Sequence, residues 1–528
     1  MIRKKKGLNP RSHTCSALNI WQKVTNLRVL KQMHAYLIIN GTISKPSTAT
    51  DLVFACAVTI FGAIEYAHQL FDQIPEPDAF LWNTMIRGSA QSQNPLKAVY
   101  LYTQMDRHSV KPDSYTFPFV LKACTRLGWV KMGQGIHGRI TKFGYESNVS
   151  SRNTLIYFHS NLGDISIARE LFDDTAKKDV VAWSAMTSGY ARRGDMRNAR
   201  YLFDKMPFKD VVSWNVMITA YAKRGDMEKA RELFEQVPVT DVVTWNAMIS
   251  GYVLHGSQKK ALEMYEEMRR TGQVPDEVTM LSLLSACVDM GDLETGKTIH
   301  SEILKMGPKE LNVLLGNALV DMYAKCGKIG VALDVFHSMK GKDIPSWNSI
   351  LGGLAFHGYA IKALELFLQM LREKIKPDGI TFIAVLTACS HTGNVKQGRE
   401  YFKLMKDEYG IEPTMQHYGC MVDMIGRAGL VKDAFDFVEK MKLEPNAIIW
   451  RTLLGACKVH GYMELGIMAY TELLKRRRDQ SGDYVLFSSV FAAVSKWDGV
   501  ENVRNLMDEC GVRKEHGCCL VEAVDQNS

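Results

Sequence analysis

The chain has 528 residues, 46% apolar and 23% charged, which is too long for one compact core and too apolar for a disordered polymer; it must be several domains or a solenoid. No stretch approaches 18 continuous apolar residues, so a helical membrane span is excluded, and eleven cysteines without a Cys-x-x-Cys pair read as small buried residues of a reducing compartment, not a disulfide framework. The net charge of +8 is local: nine basic residues (Arg3, Lys4, Lys5, Lys6, Arg11, Lys23, Arg28, Lys31, Lys45) precede the first acid, Asp51, and the rest carries 56 basic against 57 acidic residues, so any polyanion must be held by a local stripe.

Taken from the N-terminus, residues 1–25 form an acid-free, basic, Ser/Thr-containing start that fits an organelle transit peptide, with a disordered basic tail as the plain alternative. Residues 26–78 read as degenerate copies of a unit that becomes regular from residue 79 onward: the string Leu30-Lys-Gln-Met-His-Ala-Tyr-Leu37 and a short unit at 48–78 already resemble it. In the regular part, Trp82, Trp183, Trp214, Trp245, Trp347 and Trp450 are spaced by 101, 31, 31, 102 and 103 residues, and Leu-x-Ala-Cys ends at Cys124, Cys287, Cys389 and Cys457. Two residue types locked to common periods mean an array of similar units.

With each unit begun one residue after the recurring Pro-Asp or Lys-Asp, 79–113, 242–276 and 344–378 are standard units of 35 residues. The spans 114–148, 277–312 and 379–414 are long variants, and 149–179, 180–210, 211–241, 313–343 and 415–446 are short ones. In 242–276, Val243, Trp245, Met248, Ile249 and Tyr252 recur at helical spacing on one face. Gly256 ends that helix, Ser257 can cap the next, and Ala261, Leu262, Tyr265 and Met268 form a second stripe that stops at Gly272 and Pro275. Each unit is therefore a helical hairpin whose stripes need neighbours to bury them, which predicts an all-α solenoid of stacked hairpins over 79–446.

The phrases Val-Val-x-Trp-Asn-x-Met-Ile, Gly225-Asp-Met-Glu-Lys-Ala-Arg-Glu-Leu-Phe234 and Val-Pro-Asp resemble pentatricopeptide repeats, and the alternation of standard, long and short units resembles the PLS subclass of plant organelles. The resemblance covers roughly residues 48–522. It implies a right-handed superhelix that reads single-stranded RNA one base per repeat with two or three side chains. In the family the fifth and last residues of a unit meet a base edge and the second wedges between bases. The implied pairs are Asn83/Asp113, Asn153/Asp179, Ser184/Asp210, Asn215/Asp241, Asn246/Asp276, Asn317/Asp343 and Asn348/Asp378, with wedges at Phe80, Val181, Val212, Val243 and Leu314. Read without the resemblance, each Asp is a helix N-cap and each Asn a bond to a neighbouring unit. The two roles are compatible, since a capping carboxylate can also orient the amide. The tryptophans read as core.

By the family code Asn with Asp prefers uridine and Ser with Asp prefers guanosine, so the implied target is U-n-U-G-U-U-n-U-U-n-n. Pro118, Leu281 and Ile383, at the fifth position of the long units, cannot hydrogen-bond a base; Gly419 with Asn446 and Leu52 fall outside the code.

Beyond the array, 447–522 contains Ile448-Ile-Trp-Arg-Thr-Leu-Leu-Gly-Ala-Cys457, Ser481-Gly-Asp-Tyr-Val-Leu-Phe-Ser-Ser489, Trp497-Asp498 and Gly517-Cys-Cys-Leu-Val-Glu522, which resemble the extension motifs of organellar RNA-editing factors; Cys519-Leu520 departs from the usual Ser-Trp. Residues 523–528 are a tail, and Arg451 marks the passage from RNA reading to partner recruitment. A zinc deaminase needs His-x-Glu with Cys-x-x-Cys. The single His-x-Glu, His300-Ser-Glu302, lies inside a repeat helix, and His391 and His417 read as structural or surface residues, so no catalytic residue, metal or cofactor is expected. The resemblance implies a site-recognition factor for C-to-U editing in the mitochondrion, with the chloroplast as alternative, whose DYW-type cytidine deaminase and accessory factors act in trans. The rivals are stabilisation, splicing or translation of an organellar transcript, and a protein-binding scaffold.

Overall fold

The computed structural model describes residues 26–42, 46–60, 62–176, 178–306, 311–476 and 480–513. The basic start, Gly517–Glu522 and the tail lie outside these spans. Among the described residues every regular element is a helix, and none is long and apolar enough to cross a membrane. The chain divides into two units, one ending at His255 and one beginning at Gly256.

One hairpin shows how the sequence makes the structure. Asp343 accepts from the Ser346 backbone N–H (3.0 Å) while the Ser346 hydroxyl accepts from the Asp343 N–H (3.1 Å), a reciprocal cap that starts helix Ile344–Phe356. Pro345 sits in the first turn, where its missing N–H costs no intrahelical bond. Trp347, Ile350, Leu351 and Leu354 are buried on one face, and Gly358, at φ +80°, takes the left-handed turn that ends the helix. Helix Ala360–Arg372 returns with Ala363, Leu366, Phe367 and Met370 buried.

Within each unit, first helices pack on the first helices of neighbouring hairpins, and second helices lie against their own first helix and the next one. In each of the two parts the first helices thus form one layer and the second helices another. The first helices keep nearly constant length, as in Ala79–Gln91, Val180–Arg192 and Ile344–Phe356. The difference between short and standard units falls in the second helix: Met196–Lys205 and Met227–Gln236 span 10 residues, whereas Ala360–Arg372 spans 13. Varying unit length thus leaves the layer of first helices in register.

The long units carry a packing device of their own. Gly133, Gly296 and Gly398, in their second helices, face Phe158, Met322 and Met424 of the next hairpin so closely that a Cβ would lie 2.1–2.6 Å from those side chains. Gly466 stands at the corresponding place after 446, with a looser fit: a Cβ there would lie 3.0 Å from Val490. The Leu-x-Ala-Cys cysteines are core: Cys124, Cys287, Cys389 and Cys457 are buried, and burial raises their thiols to about 11 to 12.

The specimen unit 242–276 departs from its sequence reading in two details. Trp245, Met248, Ile249 and Tyr252 are buried, but Val243 points to solvent. Ser257 stands at the cap position of Gln258–Arg270 without a side-chain cap bond.

Candidate functional site

The fifth residue of a unit lies in the first turns of its first helix, and the last residue caps the first helix of the next hairpin, so stacking brings the two together. Asn83 donates from Nδ2 to both Asp113 oxygens at 3.0 and 3.1 Å, and Asn348 to both Asp378 oxygens at 3.1 and 3.2 Å. Asn153 reaches Asp179 at 2.7 Å, Asn215 reaches Asp241 at 3.0 Å and Asn317 reaches Asp343 at 3.0 Å. The same carboxylates cap: Asp179, Asp241 and Asp378 accept from the N–H of Ala182, Thr244 and Thr381. Capping and amide anchoring coexist on one carboxylate. Asn246 lies in the part of the chain that ends at His255 and Asp276 in the part that begins at Gly256, and each stands at the position in its own helix that the other readers and caps take.

Ser184 is the exception. Its hydroxyl, buried at the junction, makes no hydrogen bond, and Asp210 caps Ser213 at 2.9 Å. Burial by itself would raise the carboxyls of Asp241 and Asp343, yet bonds from Thr244 and Asn215, and from Asn317 and Ser346, outweigh it and hold both below the usual range. They are carboxylates, acceptors only, at neutral pH, which turns each Asn with its nitrogen inward.

The second residues share one exposure. Phe80, Val181, Val212, Val243 and Leu314 are 54–60% exposed, apolar side chains left largely in solvent at the same place in each hairpin. Tyr115, Val278, Ile380 and Ile448, at the equivalent place in the long units and the extension, are exposed too, residues the sequence reading missed. Between Val212 and Val243 lies a groove of about 630 Å³ lined also by Asn215, Asp241, Arg192, Lys223 and Arg224. An apolar pair flanking a polar amide, with cations at the lip, suits a planar heteroaromatic ring on an anionic backbone.

A third contributor went unread in the sequence: the third residue of the next unit. Thr116, Thr244 and Thr381, all fully buried, donate to the Oδ1 of Asn83, Asn215 and Asn348 at 2.6, 2.7 and 2.7 Å. The extension repeats the triangle with other chemistry. Arg451, at the fifth position, bonds Gln480, the residue before helix Ser481–Ala493, at 2.5 Å and pairs with Asp483, the third residue of that helix, at 2.5 and 2.9 Å. Arg451 is thus internally committed. The side chain of Asp483 is 8% exposed and that of Arg451 31%, so removing the arginine strands a buried carboxylate while removing the aspartate leaves a cation that reaches water. Arg451→Ala is expected to cost about 3 kcal/mol, as for a broken buried pair, and Asp483→Ala only about 1 kcal/mol. Urea unfolding of the two variants checks this; equal losses would refute the asymmetry.

Of the histidines singled out in the sequence, His391 is exposed and His417 and His300 have structural partners. His417 is buried, donates from Nε2 to the Gly379 carbonyl at 2.8 Å and accepts at Nδ1 from the Thr414 N–H at 3.1 Å. His300 bonds the Tyr323 hydroxyl at 3.0 Å, while Glu302 pairs with Arg269 and Tyr265, so the His-x-Glu residues face different neighbours.

Fold and junctions together define a tandem helical-hairpin repeat protein with a recurrent polar triangle along its first helices. Residues 77–126, 240–289 and 342–391 match the PPR repeat family; 181–211, 212–238, 317–344, 380–409 and 417–444 match the PPR repeat; and 460–522 match the E motif. A pentatricopeptide repeat-containing protein of Arabidopsis thaliana is 54% identical over 529 residues, covering 99% of this chain and 96% of its own. A second from the same plant is 44% identical over 95% of this chain and 89% of its own; a third, named chloroplastic/mitochondrial, is 33% identical over 97% and 73%. The chain belongs to the pentatricopeptide repeat family, and is of the PLS type with an E motif. Among solved structures, maize PPR10 is similar at 18% identity and a TM-score of 0.51, over 88% of this chain and 79% of that one. PPR10 in complex with an 18-nt psaJ RNA element aligns at 17% identity and 0.52 over the same shares, a likeness of fold.

Proposed function

We propose that this chain is a sequence-specific single-stranded RNA-binding protein of a plant organelle, and that it recognises a site for C-to-U editing while a DYW-type cytidine deaminase and accessory factors act in trans. The observation that carries the reading is the recurrence of one geometry with varied chemistry: an amide anchored on a capping carboxylate, beside an exposed apolar residue, at junction after junction. Capping alone needs neither the Asn nor the exposed Val, Phe or Leu. Bases slotted between successive second residues would meet Asn83, Asn153, Ser184, Asn215, Asn246, Asn317 and Asn348 in turn, which gives U-n-U-G-U-U-n-U-U. The E motif at 460–522 supports the editing half of the proposal, and the mitochondrion is the favoured compartment over the chloroplast.

The test compares binding of this RNA with a version carrying A at every specified position. Strong preference for the U/G tract is expected, and equal binding would overturn base reading. For editing, sequencing of organellar cDNA from a loss-of-function plant should show one or a few cytidines left unedited about six nucleotides beyond the last U of such a tract, the fourth after the nucleotide under 415–446; unchanged editing everywhere would defeat that half.

The groove cations give a further expectation. If Lys223 neutralises a phosphate, Lys223→Ala should lower the slope of log K against log salt by about 0.7 and weaken U and A tracts alike. An unchanged slope would remove Lys223 from the RNA path.

A further inference from the structure

Five of the six Asn readers fall into two groups by what holds the oxygen of the amide. At Asn83, Asn215 and Asn348 a threonine hydroxyl from the next unit lies 2.6, 2.7 and 2.7 Å from Oδ1, nearer than the Asp113, Asp241 and Asp378 oxygens that compete for its one proton at 3.1, 2.8 and 3.0 Å, so it donates to the amide. That hydroxyl is itself oriented, since it accepts from the backbone N–H of Asp113, Asp241 or Asp378 at 3.0, 3.3 and 3.1 Å. Asn153 and Asn317 lack such a clamp. The third residue facing Asn153 is Ala182, which has no hydroxyl. The one facing Asn317 is Ser346, whose hydroxyl donates to Asp343 at 2.7 Å and leaves Asn317 Oδ1 without a partner.

We propose that the third residue of the following unit is a specificity-determining positioning residue, which decides whether an Asn reader accepts uracil alone or either pyrimidine. This rests on the base-reading proposal above. With Oδ1 held by threonine and one N–H held by aspartate, the amide can present its remaining N–H but cannot turn its oxygen outward. A donor matches the O4 acceptor of uracil and opposes the N4 amino group of cytosine. Without the hydroxyl the amide has only its carboxylate anchor, and a modest rotation lets Oδ1 accept from that amino group. The Thr-clamped slots therefore reject C, and the unclamped slots tolerate it.

Arg451 shows that the triangle is a structural constant whose chemistry varies. There the fifth residue, the last residue and the third residue of the next helix are Arg451, Gln480 and Asp483, joined as closely as the Asn, Asp and Thr of the array.

The experiment needs first only the natural protein and a set of RNAs, each with one U replaced by C or by A. Replacement by C opposite Asn83, Asn215 or Asn348 is expected to weaken binding by about tenfold or more, and opposite Asn153 or Asn317 by about threefold or less. Thr381→Val, which keeps the shape and removes the hydroxyl, should bring the U-to-C ratio opposite Asn348 down to that opposite Asn317, and Ala182→Thr should raise it opposite Asn153. A merely structural threonine would lower affinity for both RNAs and leave their ratio alone. Equal ratios at all five slots, or a ratio that Thr381→Val does not move, overturn this inference while base reading stands. Tolerance of A at every slot overturns both.

Discussion

Replacing Trp347 with alanine is expected to destabilise the protein by about 3–5 kcal/mol, as for a large aromatic removed from a core, while leaving the base preference of the folded fraction unchanged. Trp347 is fully buried and meets the Phe336 ring edge to face, with centroids 4.9 Å apart and planes at 78°. Lys342 lies over the same phenylalanine at 5.3 Å. The arrangement recurs: Phe203 meets Trp214 at 4.9 Å with Lys209 above it, and Phe172 meets Trp183 at 4.9 Å with Lys178 above it. Each tryptophan ties its helix to the preceding hairpin, the nearest-neighbour interface that sustains a repeat array. Were the indole a platform for a base, the loss would appear in RNA affinity and not in unfolding. Urea titration and RNA titration of the same variant separate the two, and an undisturbed midpoint with lost binding would refute the core assignment. Trp183→Ala should cost less, because Trp183 is only partly buried.

The hairpin frame was legible because its markers are chemically unusual: tryptophan and cysteine are rare enough that a common period stands out in one sequence. The pairing of fifth and last residues was legible through the family resemblance, and the bonds from Asn83, Asn153, Asn215, Asn317 and Asn348 put each pair together. The threonine clamp was not legible. Thr116 stands 33 residues from Asn83 and Thr244 29 from Asn215, and locally each reads as an ordinary partner in a capping box. A contact across a junction of variable length has no fixed spacing in the sequence. The exposed residues Tyr115, Val278 and Ile380 carried no signal for a different reason: the long units have Pro118, Leu281 and Ile383 where a reader would stand, so no polar side chain marks the apolar one beside it. Val243 went to the apolar stripe because helical periodicity alone cannot separate an edge position from a core one.

Ser184→Asn is expected to convert one guanosine slot into a uridine slot. At this junction the triangle is open: Ser184 Oγ has no partner, and the Ser213 hydroxyl donates to the Asp210 carbonyl at 2.7 Å, away from the reader. A side chain one amide shorter leaves room for a purine and a hydroxyl that can both donate and accept. Asparagine would reach Asp210 as Asn153 and Asn215 reach Asp179 and Asp241, anchoring the amide and filling that room. One mismatch penalty is removed and one added, each about 1–3 kcal/mol, so the G-to-U preference at the fourth nucleotide should swing by roughly thirtyfold or more. Competition between two RNAs that differ at that nucleotide reads the swing directly, and an unmoved preference for G would show that Ser184 does not face the base. The third residue sharpens the expectation, because Ser213 supplies no clamp for the new amide oxygen. The single variant should accept U and C nearly alike, and Ser184→Asn combined with Ser213→Thr should restrict the slot to U.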